Sequence, residues 1–312
     1  MKRHHPLAVI VAFGLLVLAA VLFVPLAGAK PTAASTHATF RTIDYPGSPY
    51  TVPLGVNDLG VIAGAYTGTD GNPHGFLYRG GHYATIDYPG ASTDFAGDVN
   101  DLGVIVGAYA YTHPGGVYHG FIDRGGQFTT INDPNAGTGP GQGTFPQGVN
   151  NLGEVTGVYF DGNGDAHGFT YLHGTFTTID APGATATFLV YPNDFGAVAG
   201  FSFDSSGNAH SFVFQRGAWT TISDPVAPAG QTYAGSVNDL GTVVGTYYDS
   251  GGLAHGFFER GGRYTTFDDP SAGTDGSQGQ GTFPNSGNNL GLIVGYYTDS
   301  SNVTHGFELT GY

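Results

Sequence analysis

The 312-residue chain contains no cysteine. That absence excludes disulfides, thiolate nucleophiles, cysteine-ligated zinc and a lipid-modified cysteine anchor. Basic residues are scarce as well. Nine Lys and Arg stand against 24 Asp and Glu, a formal net charge of −15. A surface of that sign repels phosphate backbones and anionic lipid, so neither nucleic acid nor a membrane surface is an expected partner. No window carries apolar residues at a helical period, and no second long apolar run follows residues 7–26. A serine–histidine–aspartate elbow and a zinc motif are also missing. The glycine-rich "GTGPGQGT" has neither the lysine nor the following helix of a phosphate loop.

What is present begins with a leader. A basic start, "MKRHH", precedes an apolar run and the small-x-small "AGA" at 27–29. This pattern predicts a secretory signal over residues 1–29; an uncleaved anchor is the alternative, since about 20 apolar residues span a bilayer. Residues 30–38 read as a linker. The expected location is secreted, extracellular or periplasmic, with no membrane contact beyond a possible N-terminal anchor. Export without disulfides needs a large core, which a chain this long can bury. The 54 glycines, 19 tyrosines and 22 phenylalanines point to short strands joined by tight turns.

Residues 39–312 repeat. Asparagine recurs at Asn57, Asn100, Asn150, Asn193, Asn238 and Asn288, and histidine at His74, His119, His167, His210, His255 and His305. A period of about 43–50 residues is that of a propeller or solenoid. The fullest unit, "TFPQGVNNLGEVTGVYFDGNGDAHGFTYLHGTFTTIDAPGA" (144–184), reads as four strands joined by hairpins. Glycines inside the second strand, as in "GVIVGAY", predict close approach by a neighbouring backbone. The sixth unit stops at "THGFELTGY", before any fourth strand, while "TFRTID" (39–44) is a fourth strand with no unit before it. The expected fold is therefore all-β: a six-bladed β-propeller of four-stranded blades, closed by the N-terminal strand completing the C-terminal blade. Units 2 and 5 both end in long loops (133–146 and 269–284), which a duplicated three-unit half explains.

The "VNDLGVIVGAY…HGF" unit resembles the bacterial extracellular repeats of the HAF family over residues 39–312, with "HGF" five times and "HSF" at 210–212. The resemblance implies export and repetition; it carries over no catalytic residue and no cofactor, and none is expected.

The common positions have structural explanations. Each asparagine should close the turn after the first strand. Each histidine should bond an aspartate of the loop after the fourth strand: Asp44, Asp87, Asp133, Asp180, Asp224, and Asp268 or Asp269. On the third strand of each blade the histidines stand ~10 Å or more apart, too far to share a metal that binds at about 2 Å. "DGNGDA" supplies one weak calcium candidate, Asp161, Asn163 and Asp165, without an EF-hand's glycine or distal glutamate.

Ligand-binding candidates lie elsewhere. An aromatic stands five residues before the asparagine in five units: Phe95, Phe145, Phe188, Tyr233 and Phe283, with Val52 in the first. These either pack between blades or line a mouth. The long loops add Gln142, Gln147, Gln278 and Gln280. Single-unit departures from the repeat are Asp94, Asp98, Glu154 and Tyr191. The reading adopted is a secreted, non-catalytic, monomeric protein binding glycan or extracellular protein through its loop face. One alternative is a carbohydrate-active hydrolase or lyase using axial carboxylates such as Asp98; the other is a passive module of the cell envelope.

Overall fold

The computed structural model describes residues 38–311; the predicted leader and the linker up to residue 37 lie outside the described residues. Strand β1 (Thr39–Thr42) precedes five groups of four. Unit 1 holds β2 (Thr51–Val56), β3 (Ile62–Thr67), β4 (Pro73–Arg79) and β5 (His82–Ile86). Unit 2 holds β6 (Thr93–Val99), β7 (Val104–Ala110), β8 (His119–Arg124) and β9 (Phe128–Ile131). Unit 3 holds β10 (Gly143–Val149), β11 (Val155–Phe160), β12 (Ala166–Leu172) and β13 (Thr175–Ile179). Unit 4 holds β14 (Ala186–Pro192), β15 (Ala197–Phe203), β16 (Ala209–Gln215) and β17 (Ala218–Ile222). Unit 5 holds β18 (Thr232–Val237), β19 (Val243–Tyr248), β20 (Ala254–Arg260) and β21 (Arg263–Phe267). Unit 6 has three strands of its own: β22 (Gly281–Gly287), β23 (Ile293–Thr298) and β24 (Thr304–Thr310).

Each unit is an antiparallel meander. Strand β1 pairs with β24, Thr39 opposite Thr310 and Thr42 opposite Phe307, and so supplies the sixth unit with its fourth strand. Units 4 to 6 join into one ladder only through single parallel contacts, Tyr191 with Ser236 and Ala254 with Gly281.

Burial grades across each unit. The first strands β2, β6 and β10 are buried at every residue, whereas outer strands such as β13 set half-buried Phe176 and Ile179 among exposed threonines. The first strand is also bulged in all six units, for example between Pro146 and Gly148. A bulge turns the unpaired side chain and bends the strand. The glycine in the second strand answers to that bend, as predicted. A Cβ added to Gly107 would stand 2.0 Å from the Phe95 carbonyl oxygen, and one on Gly157 2.2 Å from that of Phe145. Only a residue without a side chain lets the first two strands close up here.

The first strands converge on a shared core. Val52, Phe95, Phe145, Phe188 and Phe283 are buried together with Leu54, Val190, Tyr191 and Tyr296, and Tyr233 packs against them. Their rings meet those of adjacent strands: Phe145 with Tyr118 at 4.8 Å, Phe188 with Phe201 at 5.0 Å, Phe283 with Tyr296 at 4.6 Å. Phe95, Phe145, Phe188 and Phe283 are therefore packing residues, with Tyr233 half-buried at the edge of the cluster.

Candidate binding mouth

At the other end of the first strands, six turns meet. In every unit the asparagine side-chain oxygen accepts two backbone N–H groups of its own turn; for Asn150 these belong to Leu152 (3.1 Å) and Glu154 (2.9 Å). Its amide then donates to the main-chain carbonyl of the next unit's asparagine. Asn57 gives to Asn100 (3.0 Å), Asn100 to Asn150 (2.9 Å), Asn150 to Asn193 (3.0 Å) and Asn193 to Asn238 (3.1 Å). Asn238 gives to Asn288 (3.0 Å) and Asn288 returns to Asn57 (2.9 Å). One residue type thus closes its own turn and ties it to the next.

The residue after each asparagine forms a second, outer circle. The Asp58 N–H donates to Asp101, Asp101 to Asn151, Asn151 to Asp194, Asp194 to Asp239, Asp239 to Asn289 and Asn289 to Asp58, at 2.7–2.9 Å. The two amides sit between carboxylates. Asn151 donates to both Asp101 (3.0 Å) and Asp194 (2.9 Å), and Asn289 to both Asp58 (2.8 Å) and Asp239 (2.9 Å). These two circles line a cavity of about 80 Å³, floored by Asp98, Tyr191, Ser236 and Ser286, with no lysine or arginine on its wall. Sequence reasoning read the asparagines as turn closers only. The signal it passed over was the acidic or amide residue that follows every one of them.

Asp98 sits on the floor, as its strand predicted, but both its oxygens are taken: Val99 N–H donates at 2.8 Å and Val149 N–H, from the next unit, at 3.0 Å. Burial pushes its pKa up to about 7 against the pull of those two donors. Tyr191 is buried beside it, its hydroxyl donating across to the Gly97 carbonyl at 3.4 Å. Burial and the neighbouring Asp98 hold that phenol well above its ordinary range. Asp94 is buried too, taking the N–H groups of Gly75 (2.7 Å) and Tyr88 (3.0 Å). Threonine does the Tyr88-type job in the other units, as Thr144 does for Asp133 (2.9 Å). Glu154 stays half-buried near the turn, receiving the Asn150 amide at 3.4 Å.

The loop glutamines are mostly spent on their own loops. Gln142 accepts from Gly139 N–H (2.7 Å), and Gln280 accepts from Asp275 N–H (3.0 Å) and donates to Asn302 (3.0 Å). Gln147 is buried, and its Nε2 has no hydrogen-bond partner among the described residues. Gln278 alone of the four is exposed. The loop face therefore does not assemble aromatic rings and free amides as one surface.

The histidines lie at the opposite end of the sheets from the mouth. His74, His167, His255 and His305 meet Asp87 (3.3 Å), Asp180 (2.8 Å), Asp268 (3.0 Å) and Asp44 (2.7 Å) as expected. Two do not. His119 pairs with Asn132, and His210 with Asp204 of its own hairpin at 3.0 Å. Asp133, Asp224 and Asp269 stand one residue later than the pairing position, where they are buried and accept a turn N–H: from Asn135, Val226 and Ser271. Asp161 of the calcium candidate closes its turn by accepting from the N–H groups of Asn163 (2.8 Å) and Asp165 (2.9 Å). Asp204, Asp249 and Asp299 do the same in their hairpins, so this is repeat architecture. One cluster of ligand-type atoms, His74, Asp87 and Asp94, lies within 4.8 Å, but Asp94 is already committed to backbone.

No family model and no curated protein matches the chain. Solved structures do. The SapL1 lectin in complex with alpha methyl fucoside is similar over 84% of this chain and 92% of its own, at 12% identity and a TM-score of 0.53. TolB from Acinetobacter baumannii is similar over 81% of this chain and 64% of its own, at 12% identity and a TM-score of 0.53. The fungal lectin of Aleuria aurantia, described as a six-bladed β-propeller, covers 69% of this chain and 77% of its own at 13% identity and a TM-score of 0.45. At such identities the likeness is one of fold, an all-β chain of repeated four-stranded blades, and carries nothing about ligands.

Proposed function

We propose that the chain is a six-bladed β-propeller closed by β1, a secreted, non-catalytic member of the HAF-repeat family. Its ligand, a glycan or an extracellular protein, is taken at the acidic mouth where the six asparagine turns meet. Closure rests on the β1–β24 pairing, on His305 with Asp44, and on the hydrogen bond from Asn288 back to Asn57. The observation that carries the binding reading is the mouth itself: four carboxylates and two amides from six units, held in fixed geometry around one opening. Polar groups fixed beforehand bind at low ordering cost. The hydrolase or lyase alternative loses support because Asp94 and Asp98 spend both oxygens on backbone donors.

Two experiments test this. Removing residues 1–44 exposes the edge of β24 and takes away buried Ile43. Stability should fall by on the order of 5 kcal/mol from lost burial and ladder bonds, and an unchanged melting temperature would count against closure. For the mouth, binding of the purified protein is measured on a panel of neutral and amine-bearing polysaccharides and immobilised extracellular proteins, beside an Asp101→Asn, Asp239→Asn variant. A bound panel member should lose about tenfold or more in affinity, with no reducing ends released. Unchanged affinity in the variant would overturn the assignment of this mouth.

A further inference from the structure

The rim of the mouth carries a feature the fold does not require. The third residue of each asparagine turn is large, apolar and exposed: Leu59, Leu102, Leu152, Phe195, Leu240 and Leu290, between 53% and 77%. Turn centres favour Gly, which tolerates a left-handed backbone, and Asn, Asp and Ser, which bond their own turn. Here the asparagine makes the turn's hydrogen bonds and the glycine after the apolar residue, such as Gly60 at φ 71°, supplies the left-handed backbone. The apolar side chain does neither. The only other exposed large hydrophobics among the described residues are Tyr111, Leu172 and Val303, none of which recurs as an exposed apolar residue in the other units. Scattered exposure of that kind is ordinary. Six apolar side chains at one repeated position around one opening are not scattered.

We infer that this rim docks a protein segment that inserts a lysine or arginine tip into the acidic mouth while its apolar neighbours cover the leucine collar. The inference rests on the proposed role of the mouth and names the partner's chemistry. Charge selects against the other occupants. Asp58, Asp101, Asp194 and Asp239 circle the opening, interrupted only by Asn151 and Asn289, and the whole chain carries −15. A second copy set face to face would bring like charges together, and an anionic lipid surface would be repelled. Size selects as well. A cavity of about 80 Å³ is well below the roughly 300–1,000 Å³ of small-molecule sites, so it admits the tip of a side chain and leaves the remaining contact to the rim. A carboxylate has lone pairs beyond the two bonds each aspartate accepts here, so a cation can be bonded without dismantling the circle. Five of the six rim residues are leucine, which covers apolar protein surface but offers a sugar no ring to stack on.

The test is selection of a displayed library of random peptides, about a dozen residues long, on the full-length protein, followed by affinity measurement with the enriched peptides. Enriched sequences should carry Lys or Arg within an apolar run, and their affinity should fall as salt rises. Binding should weaken about tenfold or more in a Leu102→Ser, Leu152→Ser, Leu290→Ser variant and, separately, in the Asp101→Asn, Asp239→Asn variant, with melting temperatures recording that both remain folded. Enriched peptides lacking a basic residue, or affinities that neither variant changes, would overturn the inference. So would rim-dependent self-association or rim-dependent binding to phosphatidylglycerol vesicles, each of which names a different occupant. If no peptide is enriched while a polysaccharide still binds in a mouth-dependent way, this docking inference fails and the broader mouth reading stands. If neither peptide nor panel member responds to the aspartate variant, both fail.

Discussion

The two ends of the same six repeat units differ in how strictly the repeat is kept. At the mouth, every asparagine accepts from the same two turn positions and donates to the same carbonyl of its neighbour, six times out of six. At the far end, the histidine has three kinds of partner. Four histidines meet an aspartate just after an outer strand, His119 meets Asn132, and His210 turns to Asp204 in its own hairpin, as His74 also does to Asp70. The contrast follows from solvent. The asparagines are buried or nearly so, and in four of the six units the bond to the next unit's carbonyl is fully buried. The five histidines paired with aspartate are 14–59% exposed at the side chain, and water can replace a lost partner there. A position that water can rescue is free to vary; one that it cannot rescue is held.

The sharpest way to break this comparison is to remove one amide. Asn150→Ala strips the acceptor from the Leu152 and Glu154 N–H groups and the donor from the Asn193 carbonyl at once. A loss of about 2–4 kcal/mol in denaturant unfolding is expected, since an orphaned buried group costs on the order of 1–3 kcal/mol and the two turn N–H groups are only partly buried. His167→Ala at the other end should cost under about 1 kcal/mol. Equal losses would erase the distinction between the two ends.

A smaller effect is expected at Asp98, which lies behind the mouth and clips unit 2 to unit 3 through Val149. Its folded pKa, raised by burial to about 7, lies above the unfolded value of about 3.9. Its contribution is therefore fully present below about pH 4 and is lost as pH rises through about 7. Asp98→Asn should remove that slope while leaving one backbone N–H short of an acceptor, at a cost of about 1–3 kcal/mol. Melting temperatures of both proteins between pH 4 and 8 measure it; parallel curves would mean that Asp98 does not titrate in this window.

Much of the architecture was legible because the repeat marks local chemistry. Turn asparagines, second-strand glycines and the lone "TFRTID" at 39–44 each state a backbone requirement that no distant residue can change. What lay hidden depends on register. The bulge in each first strand, as at Pro146 and Gly148, decides which side chains face inward, and a run such as "TFPQGV" does not announce it. Phe145 and Gln147 were consequently read toward a ligand when they are buried. The misassigned aspartates are a similar case. Asp133 and Asp224 differ from the pairing position by one residue, and a one-residue shift in a strand sends a side chain to the other face. The leucine rim was visible all along in "NDLG", but its meaning needed the six turns to be seen meeting at one place.

The weakest expected effect tests whether the histidine end adds anything at all. His255 is the least exposed of the ion-paired histidines, lying between Asp268 (3.0 Å) and Asp249 (3.6 Å). Burial pushes its pKa down, but the bonds and charges of Asp268 and Asp249 outweigh it, and the net shift is upward. A raised histidine stabilises the fold fully below its unfolded pKa of about 6.5 and loses that contribution as pH climbs through the folded value. His255→Gln should therefore cost up to about 1 kcal/mol at pH 5.5 and nearly nothing at pH 9. An equal cost at pH 5.5 and pH 9 would mean that the aspartate pairing is not its source, and that the far end of the units is held by backbone turns alone.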